Sequence, residues 1–190
     1  TRTLLYILIP LSIVVSVVLV SQGVVQNFKP YETVSLLEPI TLDDGTVVTE
    51  EVVPLGPAAS QVAIKQLGTN GGGFFGANSA HPLENPNALS NLFEMISILL
   101  IPAALCFTFG RNVKDKKQGI ALFLAMGIML VATLGIIGVN EQNATPQLAM
   151  NGQVDLSAVD QAGGNMEGKE SRFGIATSTT WSAFTTAASN

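Results

Sequence analysis

The sequence predicts an all-α membrane protein built from helix, pore-loop, helix repeats, with a small β-hairpin outside the bilayer. The prediction rests on apolar runs long enough to cross hydrocarbon, a glycine-rich string between two of them, and a cluster of basic residues in one short link. The composition agrees. Only 12% of residues are charged against 47% hydrophobic, mean hydropathy is +0.42, and the charges are gathered in clusters instead of being spread as over a soluble surface.

The first span is predicted over residues 4–21, within an interval from Thr3 to Phe28 that contains no charged side chain. Its length suits about 30 Å of hydrocarbon. The second span, 91–110, carries Glu94 as its only charge, and the third, 119–139, carries none. Pro10 and Pro102 interrupt two of these runs and are read as kinks, which membrane helices tolerate where neighbours satisfy the freed carbonyl. Arg2 ahead of the first apolar run is also a signal-peptide feature. The run is long for that role, however, and no small-residue cleavage site precedes a soluble domain.

Orientation follows from the basic residues. Arg111, Lys114, Lys116 and Lys117, with Asp115 as the only acid among them, flank or lie in the link at 113–118. By the positive-inside rule residues 111–117 are cytoplasmic, Arg2 is inside, and 30–56 and 141–170 are outside. The outer segment 22–57 carries Glu32, Glu38, Asp43, Asp44, Glu50 and Glu51 against Lys29, and the outer loop 140–173 is likewise acid-rich.

Within the first outer segment, residues 38–50 alternate polar and apolar around Asp44-Gly45, a hairpin signal; the hairpin is read as a cap. Pro54-Leu55-Gly56-Pro57 stops the strand. Residues 58–67 then have helix-forming composition with proline just ahead. At about 1.5 Å per residue this helix covers only about half a bilayer.

It leads directly into Gly68-Thr69-Asn70-Gly71-Gly72-Gly73-Phe74-Phe75-Gly76, predicted as a re-entrant filter at 68–76. Bare backbone at membrane depth survives only where it faces protein, water or an ion. Gly, Thr and Asn leave carbonyls free to point inward, glycine tolerates positive φ, and a half-helix directs its partial negative end at the site. That chemistry suits a desolvated cation.

The pattern begins again at 174–188, a second half-helix, with a filter start at 189–190. The chain therefore reads as one complete unit, 1–112, followed by an incomplete one, 119–190, and as a fragment whose ring is closed by missing repeats.

At these residues the chain closely resembles the KdpA family, the potassium-binding subunits of the bacterial Kdp potassium pump within the superfamily of potassium transporters. The resemblance is carried by Ser60-Gln61, Ala63-Ile64-Lys65, Leu67 to Phe75, Ala77-Asn78-Ser79, His81-Pro82, Glu84-Asn85-Pro86, Asn165 to Gly174 and Thr185 to Ser189. It covers most of the chain. It implies four potassium-channel-like repeats around a K+ site, of which this chain would hold the second and the front of the third. The implied K+ filter residues are Thr69, Asn70, Gly71, Gly72, Gly73, Ser189 and Asn190. Asn190 departs from the Cys that the family often carries there. The resemblance further implies a multi-pass protein of the bacterial inner membrane, in contact with lipid. Its partners would be the P-type ATPase subunit KdpB, with KdpC and KdpF, and ATP hydrolysis would belong to KdpB.

Plainer readings stand beside these. The glycines lack the Gly-Lys-Ser/Thr of a phosphate loop, so nucleotide binding on this chain is not expected. Phe74 and Phe75 are read as packing that braces the filter, and Lys65 as paired with an acid such as Glu84 or Glu94 behind it. His81 is read as an outer-loop residue, Cys106 as an inert apolar side chain, Trp181 as packing or an interface anchor, and Glu94 as a structural carboxylate or a vestibule charge. No metal cluster, nucleophile-base pair or basic stripe for nucleic acid is seen. The alternatives are an ATP-independent transporter of the Trk/Ktr kind and, from another class, a membrane enzyme or scaffold that uses the glycine loop for a headgroup or protein contact. Residues 68–80 carry no charge, which disfavours a phosphate headgroup.

Overall fold

The computed structural model describes residues 1–143, 164–165 and 172–188; Ser189, Asn190 and most of the predicted outer loop 140–173 lie outside the described residues. Among these, three helices are long and apolar enough to cross a membrane: Leu4–Ser21, Ala88–Asn112 and Lys116–Gln142.

The first span opens with a π-helical stretch, Leu4–Leu8, and continues as α1, Ile9–Ser21. Pro10 has no N–H to give and its ring crowds the preceding turn. The wider π turn immediately ahead, in which the Ile9 N–H reaches back to the Leu4 carbonyl, is where the helix accommodates it.

Strands β1, Tyr31–Thr41, and β2, Val47–Pro54, form an antiparallel hairpin. Its tip is the predicted Asp44-Gly45 turn: Gly45 sits at φ +85°, and the Thr46 N–H donates to Asp44 Oδ1 at 2.9 Å. The first strand begins well before the expected Glu38, and the register runs from Tyr31 opposite Pro54 to Thr41 opposite Val47. It is irregular between Ser35 and Ile40, the stretch containing Pro39, which has no N–H for a ladder. β1 is exposed along nearly its whole length, and β2 over most of it, its last two residues being half-buried.

Helix α2, Ala58–Gly68, packs between α1 and α3, Ala88–Asn112. At about 1.5 Å per residue it is roughly 16 Å long. Leu19 and Val24 meet Ala58, Ala59, Val62 and Ala63 in the main apolar core. Small residues on that face of α2 let the two backbones approach closely.

Helix α3 starts earlier than the predicted residue 91, because Asn87 accepts from the Leu89 and Ser90 amides while Ser90 Oγ accepts from the Asn87 amide. Helix α4, Lys116–Gln142, likewise starts at Lys116, where Asp115 caps it through the Lys117 N–H. The link is thus shorter than 113–118, and Lys116 and Lys117 form the first turn of α4. α3 and α4 touch backbone to backbone where Gly110 meets Gly119; a Cβ at Gly119 would lie 2.6 Å from the Cys106 carbonyl oxygen. Helix α5, Gly174–Ala188, coincides with the predicted second half-helix and packs against α4 and α3.

Candidate functional site

The site is built on the end of α2. Its first amides are satisfied from the chain that follows α1: Ala59 N–H donates to the Val25 carbonyl at 2.9 Å, and Ser60 N–H donates to Gln26 Oε1 at 2.9 Å. Gln26 Nε2 returns a bond to Ser60 Oγ at 3.1 Å. These contacts and the small-residue packing fix where the far end of α2 stops.

There Thr69 turns left-handed, φ +50°, ψ +43°, and the Asn70 N–H closes onto the Lys65 carbonyl at 3.1 Å. Gly71, Gly72 and Gly76 follow at φ +74°, +83° and +92°, conformations that glycine adopts without a Cβ penalty. Gly73 is required for a different reason: a Cβ there would come 2.6 Å from the Gly76 carbonyl oxygen and 3.0 Å from Glu84 Oε2. The expected filter residues Thr69, Asn70, Gly71, Gly72 and Gly73 therefore lie together in one tight turn at the partial negative end of a half-length helix.

Behind this turn lies a bed of buried polar side chains: Lys65, Gln66, Ser79, Glu84, Asn85, Ser90, Asn91 and Glu94. Lys65, only 2% exposed, donates to the Gly72 carbonyl at 2.8 Å and to Ser79 Oγ. Gln66 Nε2 donates to Glu94 Oε2 at 2.7 Å. Glu84 Oε1 accepts from the backbone amides of Phe74 and Phe75, the latter at 3.0 Å. Asn85 Nδ2 donates to Asn91 Oδ1, and Ser90 Oγ donates to Asn85 Oδ1, both at 2.7 Å.

The expected ion pair between Lys65 and Glu84 or Glu94 is not formed. Lys65 does lie behind the turn, but among the described residues no carboxylate is within ion-pair distance of its ammonium. Glu94 is engaged by Gln66, Glu84 by two loop amides, and the left-handed reversal at Thr69 brings the Gly72 carbonyl over Lys65 instead. Glu94 is fully buried, with its Oε2 held by Gln66.

Phe74 and Phe75 brace the turn as expected. Their rings meet edge to face at 4.9 Å, Phe75 packs on the α1–α2 core, and the Phe74 ring fills the space where Gly56 lacks a side chain. His81 stacks against Phe75 and accepts from the Leu83 amide through Nδ1. Cys106 is buried beside Pro102 and Met126, and Trp181 is half-buried on α5.

Three contributors are not legible in the sequence pattern: Glu84 as the acceptor for loop amides, the Asn85-Ser90-Asn91 cluster at the start of α3, and Arg172. Arg172 donates to the Ala80 carbonyl at 3.2 Å and so ties the approach to α5 to the end of the first loop. The Asn87-x-x-Ser90 spacing was a signal for the α3 cap; the loop contacts had none beyond the family strings.

Three apolar spans, with a half-length helix packed between two of them and a glycine turn at its end, define a mostly helical membrane protein with a small two-stranded sheet. The chain belongs to the KdpA family, described as the potassium-transporting ATPase A subunit, which it matches over residues 1–190. Similar proteins include the potassium-transporting ATPase potassium-binding subunits of Clostridium botulinum (strain Alaska E43 / Type E3), 83% identical over 190 residues, and of Clostridium perfringens, 74% identical over 190 residues. That of Desulfovibrio desulfuricans is 57% identical over 194 residues. Each match takes in 100% of this chain and 33% of the relative, so the chain spans about a third of the length of these curated relatives.

Proposed function

We propose that the chain is the potassium-binding and translocating part of a membrane subunit of an ATP-driven, high-affinity K+ uptake complex. In this reading K+ is selected by the backbone carbonyls that the outward-facing loop of Thr69, Asn70, Gly71, Gly72 and Gly73 leaves free, with Ser189-Asn190 and repeats outside this chain completing the ring. The observation that carries it is an uncharged turn with successive left-handed residues, held at the negative end of a half-length helix between two apolar spans. Carbonyls so presented replace a hydration shell without fixing a charge. The printed names of the relatives, potassium-binding subunits of a potassium-transporting ATPase, support the same cargo.

The chain contributes ion binding, and the ATP chemistry belongs to a P-type partner, KdpB, assembled with KdpC and KdpF in the lipid of the bacterial inner membrane. Residues 111–117 face the cytoplasm; 30–56 and 141–170 face outside. The test is K+ uptake into proteoliposomes by the full complex. ATP-dependent uptake is expected. Equal uptake without ATP would indicate a Trk/Ktr-like transporter, and no K+ movement under either condition would return the loop to a headgroup or protein contact.

A further inference from the structure

We infer that Lys65 and Glu84 are positioning residues that decide which carbonyls of the glycine loop are free to meet an ion: those of Thr69, Gly73 and Phe74 face away from the buried polar bed, and that of Gly72 is held by Lys65. The inference rests on the reading of this loop as the K+ site.

Peptide-plane geometry sets the direction of each carbonyl. None of the described peptide bonds is cis, and in a trans peptide the N–H and the C=O of the preceding residue point to opposite sides. The Phe74 and Phe75 amides both point back to Glu84 Oε1, so the Gly73 and Phe74 carbonyls point away from the buried bed. The Asn70 amide points back to the end of α2, so the Thr69 carbonyl also faces away. Gly72 is reversed, its carbonyl turned inward onto the Lys65 ammonium at 2.8 Å. An oxygen already bonded to a buried cation is a poor ligand for a second, because the two charges repel at short range in a low dielectric. Lys65 and Glu84 are themselves buried beneath the loop, so neither side chain is itself offered to the ion.

Two hydrogen bonds of opposite sense, one to a carbonyl and one to amides, thus hold adjacent peptides in opposite orientations. Lys65→Met removes the first and frees the Gly72 carbonyl to turn outward. Glu84→Ala removes the second and lets the Gly73 and Phe74 carbonyls swing, whereas Glu84→Gln keeps an acceptor oxygen for both amides.

The test uses the full-length protein in its assembled complex, with discrimination of K+ against rubidium, ammonium and sodium read as ratios of apparent affinity, separately from maximal rate. Lys65→Met and Glu84→Ala are expected to lower discrimination by about tenfold or more, and Glu84→Gln to restore most of what Glu84→Ala loses. Lys65→Met is also made together with Glu94→Gln, which removes a nearby buried ionisable group and keeps an acceptor oxygen for Gln66. Wild-type discrimination in Lys65→Met, in that double variant and in Glu84→Ala, while Gly71→Asp alters it, would overturn the inference and leave the loop as the K+ site. Wild-type discrimination in Gly71→Asp as well would overturn the loop reading itself.

Discussion

Gly73→Ala isolates the tightness of the loop. Gly73 is not among the residues with positive φ, so alanine meets no backbone penalty there and the effect is steric. Its Cβ would sit 2.6 Å from the Gly76 carbonyl oxygen and 3.0 Å from Glu84 Oε2. Neither neighbour yields cheaply: the first is backbone, and the second belongs to a carboxylate pinned by the Phe74 and Phe75 amides. Overpacking of this kind costs about 1–3 kcal/mol, and displacing the carboxylate forfeits hydrogen bonds to a charged group worth about 1.5–3 kcal/mol. If only the overpacking reaches the ion site, K+ affinity falls about five- to 150-fold; if both do, about sixtyfold to ten-thousandfold or more. The assay is K+-stimulated ATPase activity of the purified full-length complex, read as apparent K+ affinity alongside the thermal midpoint. Gly127→Ala on α4 is the control, since its Cβ meets nothing within 4 Å. Wild-type affinity and midpoint for Gly73→Ala would mean that the turn has slack and that Glu84 does not brace it.

Gly119→Val is expected to force α3 and α4 apart at the Cys106 carbonyl, lowering the thermal midpoint by an amount equivalent to about 1–3 kcal/mol, while Gly138→Ala, with nothing within 4 Å, leaves it unchanged; equal midpoints would dissolve the close crossing. Cysteines placed at Thr46 and Lys116 should be labelled unequally by an impermeant thiol reagent in intact cells, the first readily and the second not, and equal labelling would contradict the orientation. The Asp44 carboxyl is held below its usual range by the Thr46 amide. Because the folded value is the lower one, its contribution to the hairpin turn is complete above about pH 4, the unfolded value, and is lost as pH falls through the folded one. Amide exchange at Thr46 should therefore be constant in protection from neutral pH to about 5 and lose protection below about 4; unchanged protection at lower pH would remove Asp44 from the turn.

The spans were legible because an uncharged run of membrane length has few other uses. Their ends were less so. The α3 start depends on Asn87 and Ser90 exchanging hydrogen bonds, and the α4 start on Asp115, both polar residues that read equally well as loop. β1 extends back to Tyr31, seven residues before the predicted Glu38, because Tyr31 to Leu37 shows no regular alternation of polar and apolar residues and so carries no period-2 signal. For the site, the glycines announced a turn with unusual dihedrals. What they did not announce is the direction of each peptide. That is set by Lys65 reaching Gly72 and by Glu84 reaching Phe74 and Phe75, contacts that exist only once Thr69 has reversed the chain. Lys65 therefore looked in the sequence like half of an ion pair, since two acids lay nearby and the carbonyl partner was invisible.

The most direct measurement is anomalous diffraction from crystals of the full-length protein in which K+ is replaced by rubidium or thallium. The expected result is a peak in the glycine turn, within coordinating reach of carbonyls between Thr69 and Phe74 and lost in Gly71→Asp. Strong peaks elsewhere in the protein with none at this turn would contradict the assignment of the loop as the potassium site.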